Sequence, residues 1–270
     1  MLAVPTFRRA LAVLAAVPLA LVLVACGSSS ADDTASGGPS ELRLGYFANV
    51  THAAALIGAQ QGFFADELGD TTLTTQVFNA GPDEVEALFG NAIDAAYIGP
   101  SPTINAYGQS DGDAIRIIAG AASGGAQLVV RDGINSAADL KGTNLASPQL
   151  GNTQDVALRT WLTDQGLKNS VDGGGDVTIS PTPNSDIPNL FQSGELDGAW
   201  VPEPTASLLV LERGGHVLVD EKDLWPGGRF VTTHLIVRTD FLEKYPDTVS
   251  ALLRAHVRSV ELAEQDAQAA

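Results

Sequence analysis

The sequence predicts an α/β protein of two lobes, on three observations. Short β-rich runs alternate with segments of helical period along the chain, the pattern of parallel-rich sheets with helices on both faces. The alternation falls into two series, each restarting from a fresh strand, at Leu42 and again at Asn144. No short-period repeat appears, which excludes a solenoid.

In the first series, Leu42 to Tyr46 reads as a strand. Ala53 to Phe64 reads as a helix, because Ala54, Ile57, Gln61 and Phe64 fall at helical spacing. Thr71 to Phe78 is β-branched and strand-like. Asp83 to Phe89 is a helix after Gly81-Pro82, with Val85, Leu88 and Phe89 on one face. Ala95 to Ile98 is a short buried strand, Thr103 to Tyr107 begins a helix, and Ile115 to Ala119 and Gln127 to Val130 are strands. The second series opens with a short helix at Ala137 to Leu140 and a strand at Asn144 to Ala146. Thr153 to Gln165 is a helix with Val156, Leu158, Trp161 and Leu162 as its apolar side. Val177 to Ile179 is a strand, Ile187 to Gln192 a helix and Gly198 to Val201 a strand. Ala206 to Leu211 is a helix ended by Gly214-Gly215, and His216 to Val219 a strand. Phe230 to Arg238 is a long β-rich segment and Thr248 to Glu264 a helix. These series predict a first lobe of residues 41–130 and 223–270, and a second of residues 131–222. The last helix runs to Ala270 with no stop signal, so a C-terminal portion is expected to be missing.

The N-terminus carries an address. Arg8 and Arg9 precede an apolar run from Ala10 to Ala25, and small residues lead up to Cys26. This is the layout of a secretory signal peptide over residues 1–25, and it resembles a bacterial lipobox whose cysteine becomes the acylated N-terminus. A spanning helix needs about 20 apolar residues, and Pro18 interrupts this run. Residues 26–40, rich in Ser, Gly and Asp, read as a flexible tether. Cys26 is the sole cysteine. Once it is lipidated, disulfides, a thiolate nucleophile and a cysteine metal site are all excluded.

Composition narrows the partners. The formal net charge is −17, and cleavage removes two arginines. Such a surface repels nucleic acid and anionic headgroups. The four histidines, His52, His216, His234 and His256, do not fall at metal-ligand spacing on one helix, so no metal site is expected. Gly99-Pro100-Ser101-Pro102 has proline where a nucleophile elbow needs free turn residues. No Walker A sequence is present, and no cofactor is implied.

Three segments share one shape, in which a strand ends, small residues follow and a helix begins. They contain Asn49, Thr51 and His52; Gly99, Pro100 and Ser101; and Asn152, Thr153 and Gln154. Ligands of open α/β sheets bind beyond the carboxyl ends of the strands. Helix N-termini there present unpaired N–H groups to an anion. The same residue types are also ordinary N-caps.

The order of these segments, with the words around them, resembles the solute-binding proteins of nitrate, sulfonate and taurine ABC importers. The residues that carry it are Leu44-Gly45-Tyr46 with Thr51-His52-Ala53, Phe78 to Pro82, Ala95 to Pro102, Ala138 to Gly142, Asp197 to Pro204 and His234 to Val237. The resemblance implies a type II periplasmic-binding fold, two α/β lobes around a ligand cleft. It implies no catalysis, an extracytoplasmic monomer tied to the membrane by lipid alone, and capture of a small anionic solute for a permease and its ATPase subunit. Ser123 and Gly124 join the matching anion-binding positions. Glu203, between two prolines, matches a carboxylate that accepts the ammonium in taurine-binding relatives, or else it caps the following helix. Trp200 either walls the pocket or sits in the core. Trp200, Tyr97 and Glu203 would also suit a flat pyrimidine of the thiamine-precursor kind. A pyrimidine-synthesising enzyme of similar fold needs a cysteine-rich motif that this chain lacks. A lipoprotein that only senses its ligand is the remaining alternative.

Overall fold

The computed structural model describes residues 38–266. The expected signal peptide, Cys26 and most of the expected tether lie outside the described residues. Two five-stranded sheets organise the rest. The first contains β1 (Glu41–Phe47), β2 (Thr72–Phe78), β3 (Ala95–Ile98), β4 (Ile115–Ser123) and β10 (Val231–Arg238), in the order β2-β1-β3-β10-β4. The second contains β5 (Ala126–Val130), β6 (Asn144–Ser147), β7 (Thr178–Pro181), β8 (Gly198–Pro202) and β9 (His216–Asp220), in the order β7-β6-β8-β5-β9.

The two orders are the same pattern. In each sheet four strands run one way and a fifth is inserted antiparallel between two of them, β10 between β3 and β4, β5 between β8 and β9. The inserted strand arrives from the other lobe. It enters where the parallel strands end and must therefore run back against them, as the pairings of His234 with Ile98 and of Ala126 with Pro202 show.

This exchange corrects the expected lobe boundary. Residues 126–130 belong to the second sheet, because the chain crosses at Gly124-Gly125, which hold φ values of +82° and +77° that only glycine adopts freely. The return crossing occupies residues 221–230, and the first sheet resumes at Val231.

Helices cover both faces of each sheet. In the first lobe α1 (Ala53–Gln60), α2 (Phe63–Leu68) and the 20-residue α9 (Pro246–Gln265) enclose a core of Leu42, Leu44, Phe64, Tyr97 and Leu252. On its other face α3 (Gly81–Phe89) and α4 (Pro100–Gln109) pack on Ile93, Ile98 and Ile236. In the second lobe α5 (Thr153–Asp164) covers Leu128, Leu145, Leu158 and Trp200. There α6 (Ile187–Ser193) and α7 (Thr205–Arg213) cover Val129, Phe191, Ala199 and Val201. A short helix, α8 (Thr239–Lys244), leads into α9. The helix expected over 53–64 is broken in two, because Gly62 sits at φ +76° and ends one helix where the next begins.

Candidate functional site

The parallel strands of both sheets point their carboxyl ends at one another, and the loops that follow meet between the lobes. A short 3₁₀ turn, Val50–His52, leads into α1, with Asn49 in extended conformation before it. Gly99 precedes α4 and Asn152 precedes α5, both extended in the same way. Neither Asn49 nor Asn152 caps its own helix through its side chain, so the first-turn amides there are not silenced from within. The third start, α4, begins Pro100-Ser101-Pro102 and offers only the Ser101 N–H.

A small pocket of about 10 Å³ lies between these starts, room for roughly one water. From the first lobe it is lined by Phe47, Asn49, Thr51, His52, Gly99, Thr232 and Thr233. From the second it is lined by Asn152, Thr153, Gln154, Asn184 and Pro202. It opens towards a mouth of about 420 Å³ that shares Phe47, Asn49 and Asn184 and adds Val77, Phe78, Pro188 and Leu208. Among the described residues, no charged side chain lines either space.

Three buried polar atoms here have no partner: the hydroxyls of Thr153 and Thr233, and the side-chain carbonyl of Asn184. Leaving a buried polar group unpaired costs about 1–3 kcal/mol. Such atoms clustered around one pocket mark a place that a water or a polar ligand group would complete. His52 is 2% exposed and stacks on Phe47 with ring centroids 4.4 Å apart. Its Nδ1 accepts the Phe47 N–H at 3.2 Å. Burial pushes its pKa down to about 3, so the ring is neutral at pH 7 with its proton on Nε2. It can therefore donate one hydrogen bond, from Nε2. The side-chain amide of Asn152 donates to the Gln154 carbonyl at 3.2 Å, and the Asn152 carbonyl accepts the Gly81 N–H at 3.4 Å.

Several bonds hold the lobes shut. Asn152 reaches Gly81 across the gap, Gln149 donates to Asp83 at 3.0 Å, and the Val50 N–H donates to the Glu203 carbonyl at 3.2 Å. At the tightest point Gly99 faces Thr153, where an added Cβ would lie 2.2 Å from the threonine hydroxyl. Glycine is required there by the approach itself.

Of the expected site residues, the pocket collects Asn49, Thr51, His52, Gly99, Asn152, Thr153 and Gln154. The others lie elsewhere. Pro100 and Ser101 turn to a separate groove beyond Thr153. Ser123 pairs with Val231, and Gly124 accepts from the Thr232 hydroxyl, so both serve to join the crossovers. Trp200 is wholly buried in the second-lobe core, and its indole N–H donates to Glu221 at 2.8 Å. Glu203 accepts the Ser207 N–H at 3.0 Å and caps the first turn of α7. Tyr97 is buried too, its hydroxyl bonded to His256 Nδ1 at 2.9 Å.

Sequence reasoning missed Phe47, Asn184, Pro202, Thr232 and Thr233. Asn184 had a signal: Thr182-Pro183-Asn184-Ser185 follows a strand and precedes α6, the same shape as the three recognised loops. Thr232 and Thr233 had none, because they start a strand that reaches the cleft only through the return crossover.

The NMT1-like family model matches residues 35–270. The chain is 29% identical over 206 residues to the taurine-binding periplasmic protein of Escherichia coli strain K12, a match covering 75% of this chain and 61% of that one. It is 27% identical over 261 residues to a putative aliphatic sulfonates-binding protein of Bacillus subtilis strain 168, covering 94% and 73% respectively. It thus spans about three-fifths of the length of the first of these relatives. Its fold superposes, with TM-score 0.72 and 21% identity, on the alkanesulfonate-binding protein of Xanthomonas axonopodis pv. citri bound to MOPS, covering 86% of this chain and 77% of that one. The likeness shows a periplasmic-binding-protein fold.

Proposed function

Because the chain belongs to the NMT1-like family, we propose that it is the extracytoplasmic solute-binding component of an ABC importer and captures a small organic anion. The observation that carries this reading is the set of unpartnered hydroxyls of Thr153 and Thr233 around an uncharged pocket, at the starts of helices from both lobes. Neutral donors and helix starts suit a single negative charge, and no bond need be made or broken. The lobes close over the ligand and the permease reads the closed form.

The two connected spaces set the shape of the ligand. The inner pocket, closed here to the size of about one water, admits an oxyanion head when the lobes part slightly around it, and the mouth beside Phe47, Val77, Phe78 and Leu208 takes an apolar tail. An alkanesulfonate fits both. Nitrate fills only the first. Taurine would place its ammonium where no carboxylate lines the wall, since Glu203 is engaged at α7. The pyrimidine alternative loses Trp200 and Tyr97 to the cores.

A lipid anchor on Cys26, delivery to a permease and its ATPase subunit, and a monomeric state complete the proposal. The lipobox motif supports the anchor. Mass spectrometry of membrane-extracted protein should find acylated Cys26, and Cys26→Ala should release the chain from the membrane. The ligand test is thermal unfolding against nitrate, taurine, ethanesulfonate and hexanesulfonate. A native-state ligand at 100 times its Kd adds about 2.7 kcal/mol. Hexanesulfonate should shift the melt furthest, and taurine no further than ethanesulfonate. Failure of every anion to shift it would remove the proposal.

A further inference from the structure

All three tryptophans of the chain gather about one buried carboxyl on the other side of Thr153 from the anion pocket. The Trp200 indole donates to Glu221 at 2.8 Å, and Trp161 lies against Trp200 with ring centroids 6.1 Å apart. Trp225 stacks on Phe230 at 5.9 Å and 15°. Trp161, Trp225 and Phe230 border a space of about 680 Å³, with Trp200 behind it in the core, within the roughly 300–1,000 Å³ of small-molecule sites. Its walls come from both lobes: Ile104 on α4, Val156 and Trp161 on α5, and Trp225 and Phe230 on the return crossover.

The charge of this groove is one-sided. Its two ionisable lining groups are acids, Asp164 and Glu221, and among the described residues no Lys, Arg or His lines it. Glu221 is 3% exposed at its floor. Ile104, Val156 and Trp225 leave apolar surface open to solvent, at 69%, 41% and 49% exposure, more than scattered surface residues account for when contiguous.

We propose that this groove is a second ligand site, for a small organic cation with an aromatic or branched apolar body. Indole faces carry negative potential and attract a cation within about 6 Å of the ring centre. Asp164 and Glu221 complement the same charge, while the apolar body covers Ile104 and Val156. An anion meets two acids here, and a neutral ligand leaves their charge without a counter-ion. Burial pushes the Glu221 pKa up to about 7 against the hydrogen bonds from Trp200 and Trp225, and an arriving cation favours its carboxylate form. The site is independent of the anion reading and shares only Thr153 with that pocket.

The test is a titration of the full chain with phenethylammonium, read by tryptophan fluorescence, since every tryptophan lies here. 2-Phenylethanol and phenylacetate are the neutral and anionic controls. The cation should give a saturable change, with the alcohol about tenfold weaker, on the scale of a cation–π contact, and phenylacetate silent. In calorimetry, Trp225→Ala and Glu221→Gln should each weaken the cation about tenfold while leaving hexanesulfonate binding unchanged. Trp225 is half exposed and Gln keeps an acceptor for Trp200, so both variants should melt cooperatively. Equal binding of the three probes, no saturable change, or cation affinity unmoved in both variants would overturn the proposal. A dimer in sedimentation that Trp225→Ala abolishes would assign the groove to a second copy, and overturn it as well.

Discussion

The two lobes share one strand order but treat a buried carboxyl in opposite ways. In the second lobe Asp155, 1% exposed on α5, accepts from Ser147 at 2.7 Å and the Gly151 N–H at 3.0 Å, and pairs with Arg159 at 3.0 Å. In the first lobe Glu84, wholly buried on α3, has no partner for either oxygen. It lies against Gly45, where an added Cβ would come 2.5 Å from its carboxyl. One fold therefore contains an acid that fixes a loop and an acid that burial drives towards its neutral form. Asp155 holds residues 147–151 just ahead of Asn152–Gln154, so its network positions the loop to which the proposal assigns anion contact. Glu84 lies apart from the lining and carries a pH-dependent liability.

The largest effect should come from breaking the satisfied side. Asp155→Ala leaves Arg159, partly exposed, without its partner and strands the Ser147 hydroxyl and the Gly151 N–H. The loss should be about 3 kcal/mol, the low end for breaking a buried pair. Denaturant unfolding should show that loss, with anion affinity falling alongside because the loop it ties leads into Asn152. Loss of stability with affinity intact would separate the network from the site.

Removing the waiting hydroxyls should come next. Thr153→Val and Thr233→Val keep shape and delete one donor each. A hydrogen bond to a charged group contributes about 1.5–3 kcal/mol, so each should weaken an alkanesulfonate about ten- to a hundredfold by calorimetry. Neither should cost stability without ligand, because neither hydroxyl has a partner to lose.

The unsatisfied acid gives a smaller effect with a definite sign. Burial raises the Glu84 pKa well above its ordinary 4.5. The unfolded chain releases this proton near that value while the folded chain keeps it, so Glu84 lowers stability as pH climbs from 4.5 towards its folded pKa. Glu221 acts in the same sense up to about 7. His52 and His234, lowered by burial to about 3 and about 4, act oppositely as pH falls below 6.5. The readout is therefore a difference: Glu84→Gln minus wild type, in melts from pH 4.5 to 7.5, should grow more stabilising with pH. A flat difference would mean Glu84 has a partner in solution. Glu203→Gln should do least, costing about 1 kcal/mol or less as a weakened cap and leaving the taurine-to-ethanesulfonate ratio unchanged.

The recurring strand–turn–helix shape made much of the site legible. It marked Asn49 to His52, Gly99 and Asn152 to Gln154, because a helix start at a strand end needs a recognisable punctuation of small and polar residues. It could not assign the side chains next to them. Trp200 lies in a strand with helices on both faces, so alternation sends it into one core and Ala199 and Val201 into the other. Glu203 was ambiguous for a related reason, since a carboxylate just before a helix suits both cap and ligand. Thr232 and Thr233 were hidden by topology, because only the reciprocal exchange of β5 and β10 carries their segment into the cleft. The same exchange misled the lobe boundary at residues 126–130.

The most direct measurement is calorimetric titration of hexanesulfonate into wild type and Gly99→Ala. The account places the anion in the pocket that Gly99 and Thr153 both line, where an added methyl on Gly99 would meet the threonine hydroxyl and force the lining apart. It predicts saturable binding at one site in wild type and a loss of about tenfold or more in the variant, with the isolated fold still melting cooperatively. Equal affinity in the two proteins would contradict it and move the ligand away from the meeting of the two lobes.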